Sequence, residues 1–193
     1  MKKLFIIAIL NFCLIIPSQA DNIKDFQLEG MSLGDSLLKY LSKNEIDNMR
    51  HATNYKSKKF KTTTLKNFAK LYDVLRVSYK SNDKDYIIHG ISGILIFERN
   101  INDCYKKKDE IVKEIKPMFT SIKEKKSVYA HKVDKTGKTK VTSSGFYFKN
   151  FGNSSVACVA YSDEMKKKNR IDHLRIGVMS NEYIDWLNNE AYK

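Results

Sequence analysis

The sequence predicts an α+β fold: a largely antiparallel sheet of about five strands, one long amphipathic helix packed on one face, and short N- and C-terminal helices. Three observations lead there. Stretches of strand character come in groups joined by connections of hairpin length. A single long segment, residues 102–122, repeats apolar residues at helical spacing. The order is short helices, two strands, the long helix, three strands and a last helix, which suits a sheet with the long helix across one face.

The elements follow in order. Met1, Lys2 and Lys3 precede an apolar run, LFIIAILNFCLII, that is too short to span a bilayer comfortably, and Pro17 breaks it. Ser18, Gln19 and Ala20 then place small residues where a signal peptidase reads. The expectation is a signal peptide over residues 1–20, cleaved between Ala20 and Asp21, with 21–193 as one globular domain exported to the periplasm or the extracellular space. No transmembrane segment is expected after cleavage.

After an irregular lead, Leu33, Leu37, Leu38 and Leu41 recur at helical spacing, and Ser42 with Glu45 forms a capping box before Ile46 and Met49. These give a short helical pair. Residues 53–70 are polar and basic with irregularly spaced Phe60, Leu65 and Phe68, so they read as a loop or a weak edge strand. LYDVLRVSYK (71–80) and DYIIHGISGILIFER (85–99) flank the turn residues 81–84 as a hairpin. In its first strand Leu71, Leu75, Val77 and Tyr79 share a face, while Arg76, Ser78 and Lys80 point to a wet one. Its second strand is apolar on both faces and should be central, with Gly90 and Gly93 marking a bend or a close approach.

Asn102 and Asp103 cap the long helix, in which Cys104, Ile111, Val112, Ile115, Met118, Phe119 and Ile122 form one stripe and the lysines the other. Pro117 should kink or end it. VTSSGFYFKN (141–150), SSVACVAYSD (154–163) and DHLRIGVMS (172–180) are three further strands. Ser180 caps the closing helix, whose Ile184, Leu187 and Ala191 can dock on the body.

Two cysteines remain after cleavage, Cys104 and Cys158, and an even pair in an exported chain reads as a disulfide. Closing so long a loop would stabilise the fold by roughly 4 kcal/mol in the chain-entropy account.

Loss of Lys2 and Lys3 lowers the formal net charge from +13 to +11. The excess invites an anionic envelope component, and another envelope protein is a further candidate partner. Lysine supplies nearly all of it, in a chain also rich in Asn and Ile, which share A- and T-rich codons. The arginines (Arg50, Arg76, Arg99, Arg170, Arg175) are dispersed along the chain, and no signature of sequence-specific nucleic-acid binding is present.

Gly30, Ser32 and Gly34 spell G-x-S-x-G, the pattern of a hydrolase nucleophile elbow. An elbow needs a buried strand before it, and DFQLE is not one. Ser32 reads instead as a helix N-cap, with Asp35 favouring the positive helix end. His51, His89, His131 and His173 lack metal-binding spacing, so no metal and no cofactor are expected. The catalytic candidates are His89, on the central strand, and Glu98, at a strand end. The binding candidates are the helix lysines Lys106, Lys107, Lys108 and Lys113, the loop lysines Lys166, Lys167 and Lys168, and the aromatic pair Tyr147 and Tyr161, which beside cations would bind a flat or anionic ligand.

The segments GMSLGDSLLKYLSKNEI, NINDCYKKKDEIVKEI, DKTGKTKV and DHLRIGVMSNEYIDWL together resemble a group of small exported bacterial proteins without an assigned activity. That resemblance implies export and one compact domain. The expected function is a non-enzymatic binding or interaction protein. The alternatives are an envelope-polymer hydrolase working through His89 or Glu98, and a binder of anionic lipid or cell-wall surfaces.

Overall fold

The apolar run around Ile91 lies in the interior of a sheet, as its composition requires. The computed structural model describes residues 23, 26–53, 55–65, 68–118, 122–148 and 152–193; the expected leader and cleavage point, and Phe119, lie outside them. Strands β1 (Phe60–Thr64), β2 (Val74–Lys80), β3 (Ile88–Ile96), β4 (Glu124–Ala130), β5 (Lys140–Phe148), β6 (Gly152–Ala160) and β7 (His173–Met179) form a sheet in the order β1-β2-β3-β7-β6-β5-β4, every neighbouring pair antiparallel. The α+β class holds, with seven strands where about five were expected. The two extra strands are the edges. β1 falls in the polar stretch whose spacing is irregular, and β4 (EKKSVYA) is mostly exposed, so neither shows the apolar alternation of an inner strand.

Pairing fixes which side chains share a face. Cys158 pairs with Leu174, and Val178 with Ile91, so these residues and Ile176 lie on one face. Helix α2 (Ile101–Ile115) packs there, on β6 and β7, and Cys104 in its first turn forms a disulfide with Cys158, Cα atoms 6.0 Å apart. Asn100 rather than Asn102 is the N-cap, its side chain accepting from the Asn102 N–H, and a 3-10 turn (Lys116–Met118) around Pro117 ends the helix. The buried stripe of α2 is Cys104, Lys108, Val112 and Ile115. Lys108 therefore runs its stem along the sheet side and reaches Asp109 with its ammonium, 2.6 Å away, instead of joining the exposed lysines.

Ile23, Phe26, Leu28, Met31, Leu33 and Leu37 close the same core from the N-terminal side. A 3-10 turn (Leu37–Lys39) and helix α1 (Lys43–Asp47) follow; the second carries the expected capping box of Ser42 and Glu45. The first is capped by Ser36, not Ser32, whose backbone N–H donates to the Asp35 carboxylate at 3.0 Å.

The opposite face has two small apolar clusters instead of a continuous layer. Helix α4 (Asn181–Asn189), capped by Ser180, brings Tyr183 and Trp186 onto Phe60 and Tyr55, with Ala191 behind them. Trp186 Nε1 donates to Ser57 Oγ at 2.8 Å. Tyr183 presses on Gly90, where an added Cβ would meet its ring at 3.1 Å, which is the close approach the strand glycine foreshadows. The second cluster is Val141, Ala157 and Val159, with Tyr161 against it. Between the two the sheet carries Ser92, Gly177 and Ser155 in one cross-strand row. No large side chain in that row can seat a second layer, so the sheet surface stays open there. Among the described residues no helix is long and apolar enough to cross a membrane.

Candidate functional site

The open stretch of sheet is the floor of a cavity of about 260 Å³. Its cationic end is made by residues far apart in the chain. Arg76 stands on β2, on the face the hairpin pattern marks as wet, and Arg175 on β7; Arg76 pairs with Ser92 of β3 and Arg175 with Ile94. Arg170 joins from the loop after helix α3 (Asp163–Lys166). Three of the five arginines thus line one cavity, and among the described residues no Asp or Glu lines it. Asp172, close in sequence, is turned to other work: it accepts from the Tyr161 N–H at 2.7 Å and pairs with Lys166 at 2.8 Å.

The electrostatics follow from that imbalance. Burial, and after it the charge of Arg175, pushes the Arg76 guanidinium below its usual value. Its Nε is buried without a hydrogen-bond partner among the described residues, which is costly for a charged group unless something else supplies an acceptor.

His131, Tyr161 and His173 form one wall, with ring centroids 6.1 Å and 5.8 Å apart in succession. Burial lowers the pKa of both imidazoles, and Arg175 lowers them further. Burial likewise raises that of the Tyr161 phenol, against the opposing pull of Arg170 and Arg175. The hydrogen bonds fix the neutral tautomers. His173 Nδ1 lies 2.9 Å from the Ile171 carbonyl, which can only accept, so the proton sits on Nδ1 and Nε2 keeps a lone pair. His131 Nδ1 accepts from the Val133 N–H at 3.1 Å, so its proton sits on Nε2.

The β4–β5 loop that carries His131 is pinned by Asp134. This buried carboxylate accepts from the hydroxyls of Thr136 (2.6 Å), Thr139 (2.7 Å) and Ser162 (2.7 Å), which hold it well below the usual carboxylate range. The clamp ties that loop to the residue following Tyr161.

At the far wall Tyr55, Thr62, Ser78 and Tyr183 bond to one another at 2.8–3.2 Å. All four also line the cavity.

Of the residues singled out from sequence, Tyr161 belongs to this site. Tyr147 does not: it is 56 % exposed, lies over Gly145, and has the Lys125 ammonium 5.9 Å from its ring. Lys106 and Lys107 are exposed and partnered within α2, by Asp103 at 3.7 Å and Glu110 at 3.1 Å; Lys113 is exposed. Lys166, Lys167 and Lys168 are exposed on and after α3.

His89 lies at the start of β3 and Glu98 beyond its far end, where it is exposed. His89 Nδ1 is 3.1 Å from Ser180 Oγ and 3.9 Å from Glu182 Oε2. Serine and carboxylate meet the same ring nitrogen, whereas a proton relay through imidazole needs them on different nitrogens. Ser180 Oγ is in addition engaged as the α4 cap. Ser32 is preceded by an isolated bridge, Leu28 to Met31, and not by a strand. Among the described residues no group of His, Cys, Asp or Glu is arranged to hold a metal ion.

The arginine cluster escaped the sequence reading because the register of β2 on β3 and β3 on β7 assembles it. The one local sign was RIDHLR (170–175), with two arginines and a histidine in six residues. No protein-family model matches the chain, and no curated protein or solved structure matches it either.

Proposed function

We propose that the chain is an exported, non-enzymatic binding protein that captures a small anionic ligand in the cavity on the open face of its sheet. The observation that carries this reading is the meeting of Arg76, Arg170 and Arg175 in a cavity that, among the described residues, has no lining carboxylate and leaves the buried Arg76 Nε without a partner. Guanidinium groups stay protonated and present forks that match oxyanions. A fold gains nothing from gathering three of them unless an anion completes the site.

Export is supported by the leader and by the Cys104–Cys158 bond, since disulfides persist in oxidising compartments. The intact mass of unreduced protein recovered from outside the cytoplasm tests it, with cleavage before Asp21 as the expected result.

Binding is tested by calorimetric titration of the oxidised protein with inorganic phosphate, sulfate and citrate at low salt, alongside Arg175→Gln. Saturable one-site binding that the variant loses is expected. If none of these anions binds saturably, or the variant binds as well as the parent, the reading fails.

A further inference from the structure

The site's donors and acceptors say more about its occupant than its charge does. Resting on the reading above, we infer that the ligand is the phosphomonoester of a sugar or small polyol, its phosphate among Arg76, Arg170 and Arg175 and its hydroxylated body over the Ser92–Gly177–Ser155 row.

The charge count favours phosphate. A single carboxylate would leave two of the three guanidinium groups unmatched. A phosphomonoester carries between one and two negative charges near neutral pH, and its terminal oxygens accept from more than one fork.

The size favours a small body. At about 260 Å³ the cavity lies just under the range typical of drug-sized ligands, roughly 300–1,000 Å³, which suits a monosaccharide-sized body.

The rest of the lining calls for hydroxyls. Ser92 and Ser155 flank Gly177, a glycine that the close approach of the Ile91 carbonyl requires and that leaves no side chain over the floor between them. Among the described residues neither serine hydroxyl has a side-chain partner. His173 Nε2 offers a lone pair and His131 Nε2 a proton, so the occupant must both donate and accept. The far wall points the same way. Each hydroxyl has one proton and two lone pairs, so Tyr55, Thr62, Ser78 and Tyr183 can spend every proton on one another and still keep lone pairs for a ligand to donate into. Sulfate at neutral pH only accepts and inorganic phosphate keeps at most two donor protons, whereas each of a sugar's several hydroxyls both donates and accepts.

The test is a calorimetric panel on the oxidised protein near pH 7.5 and low salt: glucose 6-phosphate, glycerol 3-phosphate, inorganic phosphate, glucuronate and glucose. At least one of the two phosphomonoesters should bind tenfold or more tighter than inorganic phosphate and glucuronate, with glucose not binding. Ser92→Val should weaken that phosphomonoester about tenfold more than it weakens inorganic phosphate. The single buried Trp186 reports by its fluorescence that the variant is folded. If inorganic phosphate binds as tightly as both phosphomonoesters, or glucuronate matches them, the ligand class is wrong while anion capture stands. If nothing in the panel binds, and the anions tested above do not either, both fall.

Discussion

Arg76 and Arg175 face one cavity diagonally across β3, each two strands from the other, with no carboxylate among the described residues lining the space they share. Such an arrangement costs stability until an anion arrives, so its removal should help the fold and abolish its use. Arg76→Met keeps the apolar stem and deletes the charge. It is expected to raise the unliganded stability by about 1 kcal/mol in urea unfolding and to eliminate anion binding. A loss of stability instead would show that Arg76 is part of the scaffold.

Stability should fall as pH drops from about 7 to 5. Burial lowers the pKa of His89, His131 and His173 below the usual 6.5. Between the depressed folded values and 6.5 the unfolded chain binds more protons than the folded one, so protonation favours unfolding in that window. Asp134 and Asp35 are depressed carboxylates, and their contributions are lost only at more acidic pH, below about 4. Melting temperature against pH checks this. Inorganic phosphate should lessen the fall by stabilising protonated His131 and His173. A flat profile from pH 7 to 5 would contradict the burial of these rings.

Reducing the Cys104–Cys158 bond should cost up to roughly 4 kcal/mol, because it frees a loop with a sequence separation of 54. Urea unfolding with and without reductant measures it. A difference below about 1 kcal/mol would mean that the reduced, unfolded chain is already as restricted as the bridged one.

Gly152 opens β6 with φ 133°, and a Cβ there would lie 1.9 Å from the Met179 carbonyl oxygen. Gly152→Ala must therefore displace the β6–β7 pairing, at a cost of about 3 kcal/mol or more. Gly30 has φ 79° and open space where its Cβ would be, so Gly30→Ala should cost only about 1 kcal/mol. Equal costs in thermal unfolding would refute the clash.

The parts of the fold that the sequence shows are those where one side chain reports its own surroundings. β3 is apolar on both faces and lies inside the sheet; Phe146 and Phe148 are buried while Tyr147 is exposed; the Ser42–Glu45 box and the Ser180 cap are in place. The edge strand β4 escaped because lysine and glutamate carry no burial signal. Lys108 was misplaced because helical spacing puts it on the inner stripe while its type suggests water. The cavity was invisible for a different reason. Arg76, Ser92, Gly177 and Ser155 become neighbours only through cross-strand register, which no local pattern in the chain encodes.

The position of β7 has a consequence for the order of assembly. β1–β2–β3 and β4–β5–β6–β7 are each ribbons of neighbours in sequence, and the seam between them is β3–β7, which pairs Ile91 with Val178 across about ninety residues of chain, a closure that slows folding. That seam brings Arg175 and Gly177 of one ribbon against Arg76 and Ser92 of the other. A chain emerging unfolded from export would therefore own no ligand pocket until its final seam closes, and recovery of phosphate binding during refolding should track the slowest kinetic phase. Capture of a ligand would then act as a certificate of completed assembly, handed out one molecule at a time.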